Sequence, residues 1–425
     1  MLITILIALL LLVAVRFINA EYPIFRKARV LAVSLVVMLT VLFDVTSASA
    51  ETASPSLQQG LANGNNEFAV QLYRQLVKDS KGNLFFSPYS VSSALGMTYV
   101  GARGNTAKEM KEALHFQFDQ QQLGDAFRMY NKELASLTSR DGQKLSVANG
   151  LTLTGGNVSG EYKTILRDCF DAEMFSGGLD EINGWVARKT EGKIPAILDQ
   201  LNANSVCVIL NAIYFKSIWE TQFRKSLTHE GSFMLSSTRQ VKAQFMLQKD
   251  DFRLLEEEDL QAISIPYKGN DLSMVILLPR NPNGLASLEQ KLDESTLSGW
   301  LERLDKQNFR EVELYLPKFT LESGYDLIGP FSRMGMKDAF GMNADFTGMG
   351  WAKGDLWIGQ IKHKAFVDVN EEGTEAAAVT AVEMVTKAMP YTPEFRADHP
   401  FIFLIRDNHK GTFLFMGRVI DPTVK

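Results

Sequence analysis

The segment from Thr374 to Met389 constrains the fold more strongly than any other part of this chain. It contains neither Pro nor Gly, although surface loops usually contain one or both. Its even-numbered positions are small or apolar as far as residue 384, whereas Glu375, Glu383 and Lys387 stand at odd positions. Because the side chains of a β-strand alternate between its two faces, the segment fits a strand in the middle of a sheet, with the even row buried.

The same residues also fit a helix on the surface. Ala, Glu, Met and Lys are good helix formers, and Thr374 is a suitable N-terminal cap. Glu383 and Lys387 have the (i, i+4) spacing that stabilises a helix through an ion pair. The segment alone does not distinguish an exposed helix from a strand, so the decision rests with the remainder of the chain.

Composition indicates a globular protein without an obvious catalytic or nucleic-acid-binding site. The chain has 425 residues, of which 46% are hydrophobic and 22% are charged, and its formal net charge is −5. That balance does not favour a nucleic acid or an anionic membrane as a partner. The sequence has no G-x-S-x-G, H-E-x-x-H or P-loop motif, and its 5 histidines are scattered. We therefore predict no enzymatic activity, no cofactor and no metal.

The first 50 residues form a hydrophobic leader. Met1–Val15 is apolar except for one threonine, and its role is not given by the sequence, since it fits an upstream extension or an anchor. Basic residues at Arg26–Arg29 precede the apolar run Val30–Phe43, and Ala48-Ser49-Ala50 follows. A basic region, an apolar region and an A-x-A site describe a secretory signal peptide. This pattern predicts a secreted, extracellular protein with cleavage after about Ala50.

Two further features of the sequence bear on secretion. Asn157-Val158-Ser159 is a sequon and predicts N-glycosylation at Asn157. The two cysteines, Cys169 and Cys207, have apolar residues beside them, which favours buried free thiols. A disulfide between them is the alternative, because the sequence does not give the distance between the two residues.

The remainder of the chain reads as one domain. Residues 51–65 are polar and predict a flexible tail, so we place the folded domain at residues 66–425, with its first helix capped by Asn66. Ser287 predicts the start of a mostly helical stretch that continues to Gln307. Helical patterns dominate the first part and strands the rest, which indicates an α+β fold.

Turn residues between apolar runs predict two β-hairpins. One turn is Lys268–Asp271, and the other is Asn408–Gly411. Lys144–Leu153 also has the composition of a strand.

Several motifs along the chain resemble those of the serpin family of protease inhibitors. In chain order they are Asn83–Ser90, Asn211–Trp219, Phe366–Ala378, Asp398–Phe401 and Phe415–Arg418. The resemblance runs from about Asn66 to Pro422, which is nearly the whole chain after the leader. Independent motifs in the right order make it specific.

The resemblance implies an α+β serpin fold with three β-sheets, about nine helices and an exposed reactive-centre loop. It also implies a suicide-substrate mechanism. A serine protease attacks the loop and forms an acyl-enzyme, and the cleaved loop then inserts into the large sheet before the enzyme can deacylate. The expected partner is a serine protease held in a covalent complex, and the expected inhibitor is a monomer.

The opening segment corresponds to the serpin hinge and reactive-centre loop. By resemblance the hinge comprises Glu371, Glu372, Gly373, Thr374, Glu375, Ala376, Ala377 and Ala378. From Thr374 onward its even row contains neither a charge nor a Pro, which is compatible with insertion and predicts an inhibitory serpin. A non-inhibitory serpin that acts as a carrier or chaperone is the alternative.

The spacing usual in inhibitory serpins, counted from the hinge glycine, places the reactive bond between Lys387 and Ala388. A lysine there predicts a trypsin-like target, whose primary pocket is acidic. Met384, Thr386 and Met389 are the alternative sites. A methionine would indicate a chymotrypsin-like or elastase-like protease.

By resemblance, five further residues control the opening of the large sheet. Ser87, Ser90, Asn211 and His363 would form a buried polar network beneath the point where the sheet parts, and Trp219 would lie at its top. The region Asn105–Leu137, which binds glycosaminoglycans in some serpins, mixes basic and acidic residues here and predicts no heparin site. Ser217 departs from the glycine common in the family, which would be mildly destabilising if that position required a positive φ.

Overall fold

The computed structural model describes most of the chain after the leader. The described residues are 57–138, 143–153, 156–175, 178–200, 207–374 and 392–424. The leader and residues 375–391 lie outside them, so the predicted signal peptide and the predicted reactive bond have no structural account. Residues from 58 onward belong to one compact unit. No described helix is both long and apolar enough to cross a membrane.

The described residues contain nine α-helices. They are α1 (57–79), α2 (Pro88–Gly101), α3 (Gly104–Ala113), α4 (Gln120–Leu137), α5 (Gly160–Phe170), α6 (Leu179–Lys189), α7 (Leu285–Lys291), α8 (Glu294–Asp305) and α9 (Ile328–Arg333). Short polar side chains cap several of these helices, as Ser87 does for α2 and Asp119 does for α4. Helix α2 carries no charged side chain and is buried along its whole length, as expected for a helix with no solvent-facing side.

Helix α1 begins well before the predicted position. The sequence placed a flexible tail up to residue 65 and a cap at Asn66, but residues 57–65 are helical. Leu61 is buried on the same face as Phe68, so burial continues the helix toward its N-terminus. The side chain of Asn66 accepts a hydrogen bond from the backbone N–H of Phe413 at 2.9 Å and donates to the carbonyl of Gly411 at 2.8 Å. This asparagine therefore binds a distant hairpin and does not cap a helix.

The predicted helical stretch from Ser287 to Gln307 is divided into two helices. Helix α7 ends at Lys291, and Asp293 then caps α8 by accepting a hydrogen bond from the backbone N–H of Thr296 at 2.8 Å. An aspartate that caps a new helix interrupts the previous one because its backbone is extended.

Fifteen strands complete the described fold. They are β1 (Leu84–Phe86), β2 (Lys144–Leu153), β3 (Ala172–Phe175), β4 (Cys207–Ile218), β5 (His229–Ser236), β6 (Arg239–Glu256), β7 (Leu260–Pro266), β8 (Leu272–Pro279), β9 (Phe309–Pro317), β10 (Phe319–Asp326), β11 (Ile358–Asn370), β12 (Gly373–Thr374), β13 (Glu394–Arg396), β14 (Phe401–Asp407) and β15 (Phe413–Val419). Helices and mixed sheets together confirm the predicted α+β class. Strand β2 has the predicted bounds, and both predicted hairpins form as antiparallel pairs, β7 with β8 and β14 with β15.

The larger sheet has nine strands and branches at β6. Its order is β1-β15-β14-β8-β7-β6-β9-β13, and β5 pairs with β6 outside that path. The first part of β6 pairs with β5 and its last part with β7. The nine-stranded sheet therefore comprises two of the three expected sheets, which share the long strand β6.

The smaller sheet has six strands, in the order β10-β11-β12-β4-β2-β3. Strands β4 and β11 pair directly and in parallel from Cys207 with Ile358 to Tyr214 with Phe366. At one end the short strand β12 lies between them and is antiparallel to both. We call the boundary between β4 and β11 the seam, and the end that holds β12 its top.

The core lies between the two sheets and is rich in aromatic rings. Phe215 of the six-stranded sheet contacts Phe415 of the nine-stranded sheet, with ring centroids 5.6 Å apart, and Phe85 stacks on Phe415 at 5.2 Å. Cys169 and Cys207 are buried free thiols, which confirms the favoured interpretation of the cysteines.

Candidate functional site

The hinge at the top of the seam depends on close backbone approach at Gly373. Strand β11 ends at Asn370, and the chain turns through Glu371 and Glu372 into β12. Gly373 has φ +146°, and a Cβ atom on it would lie 2.2 Å from the carbonyl oxygen of Ser217. A side chain is excluded at that distance, so a glycine is required for β12 to lie between the two strands.

Thr374 is already an inward-facing strand residue. It is fully buried and pairs with Ser217 of β4 and Val369 of β11. Its hydroxyl lies 3.1 Å from the hydroxyl of Tyr267. Ser217 is not among the residues with positive φ, so the serine that departs from the family pattern carries no backbone strain of that kind.

Trp219 lies at the top of the sheet, as expected for this residue. Its Nε1–H donates to the carbonyl of Asn370 at 3.0 Å, and its backbone N–H donates to the carbonyl of Glu372 at 3.1 Å. The indole stacks on Tyr267, with ring centroids 4.6 Å apart. Trp219 thus joins the end of β4 to the hinge turn, while Tyr267 joins both to Thr374.

Two carboxylates fix the hinge turn to its surroundings. Glu371 forms an ion pair with Lys318 at 2.8 Å and accepts a hydrogen bond from the hydroxyl of Thr228 at 2.8 Å. Glu372 pairs with Lys225 at 2.5 Å. Burial by itself would raise the pKa of Glu371, but the hydrogen bonds from Lys318, Thr228 and the backbone bring that pKa below its ordinary value. Glu371 therefore remains an anion.

A buried polar network crosses the seam below the hinge. The Nδ1 atom of His363, on β11, lies 2.6 Å from Oδ1 of Asn211 on β4, and the two residues are partners in the parallel register. The His363 Nε2 atom accepts a hydrogen bond from the backbone N–H of Ser87 at 3.1 Å. Because Nε2 accepts, Nδ1 carries the proton and donates it to Asn211. The amide nitrogen of Asn211 in turn donates to the Ser90 hydroxyl at 2.5 Å.

Burial keeps the His363 imidazole neutral. The side chain is fully buried, and loss of hydration lowers its pKa from 6.5 to about 3. A protonated ring would place an N–H at Nε2, directly opposite the N–H of Ser87. The hydrogen bond from Ser87 is therefore compatible only with the neutral ring.

Sequence reasoning missed Asn149, which extends the network. Its Oδ1 accepts a hydrogen bond from the amide of Asn211 at 2.8 Å, and its amide donates to the hydroxyl of Ser93 at 3.0 Å. A polar residue inside the buried strand β2 was the available signal. Tyr267, Lys318 and their contacts with the hinge had no comparable signal, because those contacts join segments that are distant in sequence.

The structure places the predicted site residues in two groups. Ser87, Ser90, Asn211 and His363 meet in one network, and Trp219 lies beside Glu371, Glu372, Gly373 and Thr374 at the top of the seam. The remaining hinge residues and the candidate reactive sites lie outside the described residues: Glu375, Ala376, Ala377, Ala378, Met384, Thr386, Lys387, Ala388 and Met389.

The network has conformational rather than catalytic chemistry. None of its members is an activated nucleophile, and among the described residues no group of three or more His, Cys, Asp and Glu side chains could hold a metal ion. Its hydrogen bonds instead join two strands that lack a covalent connection nearby, so it opposes their separation.

We predict that His363 makes the folded protein less stable in acid. Below pH 6.5 the unfolded chain binds a proton at this residue and the folded chain does not, down to about pH 3. The contribution of this residue is complete above pH 6.5 and falls by up to about 1.4 kcal/mol per pH unit below it. Denaturant unfolding at pH 7.5, 6.0 and 5.0 measures the slope.

His363→Gln provides the control, because glutamine does not titrate and carboxylates contribute equally to both proteins. The difference in unfolding free energy between the parent and the variant should shrink as the pH falls. A difference that is independent of pH between 7.5 and 5.0 contradicts the neutral, buried imidazole.

Comparison with known proteins supports the resemblance noted in the sequence. A family model described as Serpin (serine protease inhibitor) matches residues 63–422. The leukocyte elastase inhibitor of Sus scrofa is 38% identical, over 85% of this chain and 99% of the relative. Human serpin B4 is 36% identical, with the same coverage of both chains.

Solved structures agree with the fold. Serpin48 of the insect Tenebrio molitor has a TM-score of 0.77 and 32% identity, and the match covers 85% of this chain and 98% of that chain. Human thyroxine-binding globulin also has a TM-score of 0.77, with 27% identity over 86% of this chain and 99% of that chain. The predicted serpin fold is confirmed.

The prediction of a secreted protein is wrong. The relatives include serpins B4 and B6, which are clade B serpins, and clade B serpins are intracellular and lack signal peptides. Basic residues followed by an apolar run and Ala48-Ser49-Ala50 match a signal peptide by composition alone, and the additional apolar block Met1–Val15 is atypical of one. The predicted glycosylation of Asn157 presupposed secretion and loses its support, although that residue is exposed.

The fold, the hinge and the similar proteins all indicate the same protein family. The matched family covers most of the chain, and Gly373 and Thr374 of the hinge form β12 at the top of the seam. Members of this family inhibit proteases and are not enzymes, which confirms that no enzymatic activity is to be expected. This chain belongs to the serpin family of serine protease inhibitors.

Proposed function

We propose that this serpin traps a serine protease by inserting its cleaved loop into the seam as a full-length strand between β4 and β11. The observation that carries the proposal is strand β12. Gly373 and Thr374 already hydrogen-bond to both neighbours, in the antiparallel direction that the rest of the loop would follow. The hinge, Glu371 to Ala378, therefore has a defined starting register.

That register assigns every later loop residue to a pair of neighbours. Thr374 stands between Ser217 and Val369, and each further residue advances the pairing by one position on both strands. Continuation places Ala376 between Phe215 and Val367, Ala378 between Ile213 and Ala365, and Thr380 between Asn211 and His363. The even row then faces the core, where small and apolar side chains are accommodated.

Thr380 would meet the polar network at the position where the strands must part. Insertion separates Asn211 from His363 and breaks their 2.6 Å contact. A hydroxyl both donates and accepts, so Thr380 can accept from the imidazole Nδ1–H and donate to Oδ1 of Asn211. The network is then rebuilt around the inserted strand and is not left unpaired.

The energetics of insertion are adequate for trapping. A strand of about a dozen residues forms on the order of ten backbone hydrogen bonds, each contributing ~1 kcal/mol net. The sum, about 10 kcal/mol, is comparable to the stability of a whole domain. Insertion could therefore distort a bound protease, provided that it precedes deacylation.

Two observations bear on the target protease. The count from Gly373 favours Lys387 and a trypsin-like enzyme. The names of the relatives, among them leukocyte elastase inhibitors, favour an elastase-like enzyme instead. Met389 is a poor reactive site for either class, because Pro390 follows it and proline supplies no N–H to the scissile bond. Met384 and Thr386 are the remaining sites for a protease that is not trypsin-like.

The proposal predicts an SDS-stable complex with a serine protease. The full chain is mixed separately with trypsin, pancreatic elastase and chymotrypsin and examined by denaturing electrophoresis. A band at the summed mass is expected with at least one of them. Its absence with all three, together with simple cleavage of the loop, would favour the carrier or chaperone alternative.

The N-terminus of the released C-terminal fragment identifies the reactive bond. Ala388 at that end assigns Lys387 and a trypsin-like target. An N-terminus at Val385 assigns Met384 as the reactive residue, and an N-terminus at Lys387 assigns Thr386. Either result supports an elastase-like or chymotrypsin-like target.

Thr374→Arg should convert the inhibitor into a substrate. The guanidinium would have to occupy the buried position beside Tyr267, and burial of an unpaired charge is costly. Loop cleavage is expected to continue while the SDS-stable complex is lost. Glu375→Arg is the matched control, since residue 375 belongs to the outward row; equal behaviour of the two variants would contradict the assigned register.

Thr380→Val should raise the number of inhibitor molecules consumed per protease trapped. Valine has the same shape without the hydroxyl, so insertion would leave Asn211 and His363 unpaired, at about 1–3 kcal/mol for each buried group. Titration of protease activity measures this ratio. Thr380→Ser keeps the hydroxyl and should behave as the parent does. An unchanged ratio for Thr380→Val would remove the threonine from the network.

A further inference from the structure

Side chains on the outer face of the six-stranded sheet also meet across the seam. Tyr214 of β4 and Phe366 of β11 are register partners, and their ring centroids lie 6.4 Å apart. They point away from the face that carries Asn211 and His363, because they differ from those residues in strand parity. Phe366 packs against the hydrophobic cluster beneath α6. Aromatic rings therefore hold the two strands together on the outer face of the seam, whereas a hydrogen bond holds them together on the inner face.

A tight turn after α6 places a cation over this contact. The Nζ atom of Lys193 lies 5.5 Å from the centroid of the Phe366 ring. Glu191 and Gly192 both have positive φ, +52° and +77°, and the Thr190 hydroxyl accepts a hydrogen bond from the backbone N–H of Ile194 at 3.1 Å. The backbone of the turn therefore fixes where the lysine side chain begins.

The turn is anchored on the β2–β4 side of the seam. Helix α6 packs on Ala148 of β2 and on Leu210 and Ala212 of β4. Glu191 forms an ion pair with Lys144, the first residue of β2. Lys193 reaches from this anchored turn across the seam to Phe366 of β11.

Opening of the seam must break the contact between Lys193 and Phe366. Adjacent strands lie about 4.8 Å apart, so one inserted strand doubles the separation of β4 and β11 to about 10 Å. A cation acts on a ring only within about 6 Å of the centroid. With the turn fixed to β4, its lysine cannot remain over a ring that moves with β11.

We propose that Lys193 is a positioning residue that holds the seam closed on its outer face, through Phe366 and its partner Tyr214, and so limits the rate of loop insertion. This inference rests on the proposed function. Continuation of the β12 register places Ala377 between Tyr214 and Phe366, where a methyl group separates the two rings. The lysine and the rings resist opening, and the alanine lets the opened seam close around the new strand.

The test is the uptake of a free strand by the intact protein. A synthetic peptide with the sequence of residues 374–385 is added to the full chain, and its insertion is followed over time by native electrophoresis. Lys193→Met keeps the length of the side chain and removes the charge. We expect insertion to become about two- to five-fold faster, the factor that follows from the strength of a partly exposed cation–π contact.

Two further variants separate a role at the seam from a general effect of charge. Lys193→Arg keeps a cation over the ring and should insert peptide at the parental rate. Lys189 is the last residue of α6, and its ion pair with Glu173 of β3 does not cross the seam. Lys189→Met removes that ion pair. It should also leave the rate unchanged, even if it lowers the melting temperature as much as Lys193→Met does.

Equal or slower insertion in Lys193→Met would overturn the role of Lys193, whatever the protease experiments show. An increase shared by Lys189→Met would overturn it as well, because the effect would then follow from charge. A parent protein that takes up no peptide and forms no SDS-stable complex would instead contradict the insertion mechanism itself.

Discussion

The parallel pairing of β4 with β11 is the constraint on which the rest of this structure depends. Parallel pairs are slightly less stable per residue than antiparallel ones, and here the two partners are far apart in the chain. A strand that continues β12 is antiparallel to both neighbours. It would exchange one parallel ladder for two antiparallel ladders. The strand directions of the sheet therefore favour an additional strand before any side chain is considered.

Two kinds of contact hold the seam, and they respond differently to its opening. The hydrogen bond between His363 and Asn211 involves buried polar groups, which are costly unless new partners replace the old ones. The contact between Tyr214 and Phe366 is non-directional, so after opening the gap between the two rings only has to be filled. The inward row of the loop thus requires a hydroxyl between His363 and Asn211, whereas the outward row requires only a small side chain between Tyr214 and Phe366.

Local signals predicted the local structure well, and distant contacts account for what was missed. The turns Lys268–Asp271 and Asn408–Gly411 correctly predicted two hairpins, because turn residues favour a specific conformation of the adjacent backbone. Asn66 was misassigned as a cap because its partners lie on a hairpin near the other end of the chain. Asp293, which divides one predicted helix into two, was a local signal that could have been used. The hinge was assigned through its motif. The partners of Glu371 could not be predicted, because Lys318 and Thr228 reach it only through the fold.

The short edge strand β13 makes the reactive loop a tether fixed at both ends. Arg396 of β13 pairs with Tyr315, a few residues before Phe319, which pairs with Val369 at the top of β11. Both ends of the loop are therefore held near the same end of the sheet. A strand that fills the seam down to Ile358 descends about 36 Å, whereas residues 386–393 extend at most about 28 Å on the way back. The uncut chain is therefore too short to fill the seam and return to β13. Full insertion requires that the protease first cleave the loop, so the cleavage that forms the acyl-enzyme is also the step that permits insertion.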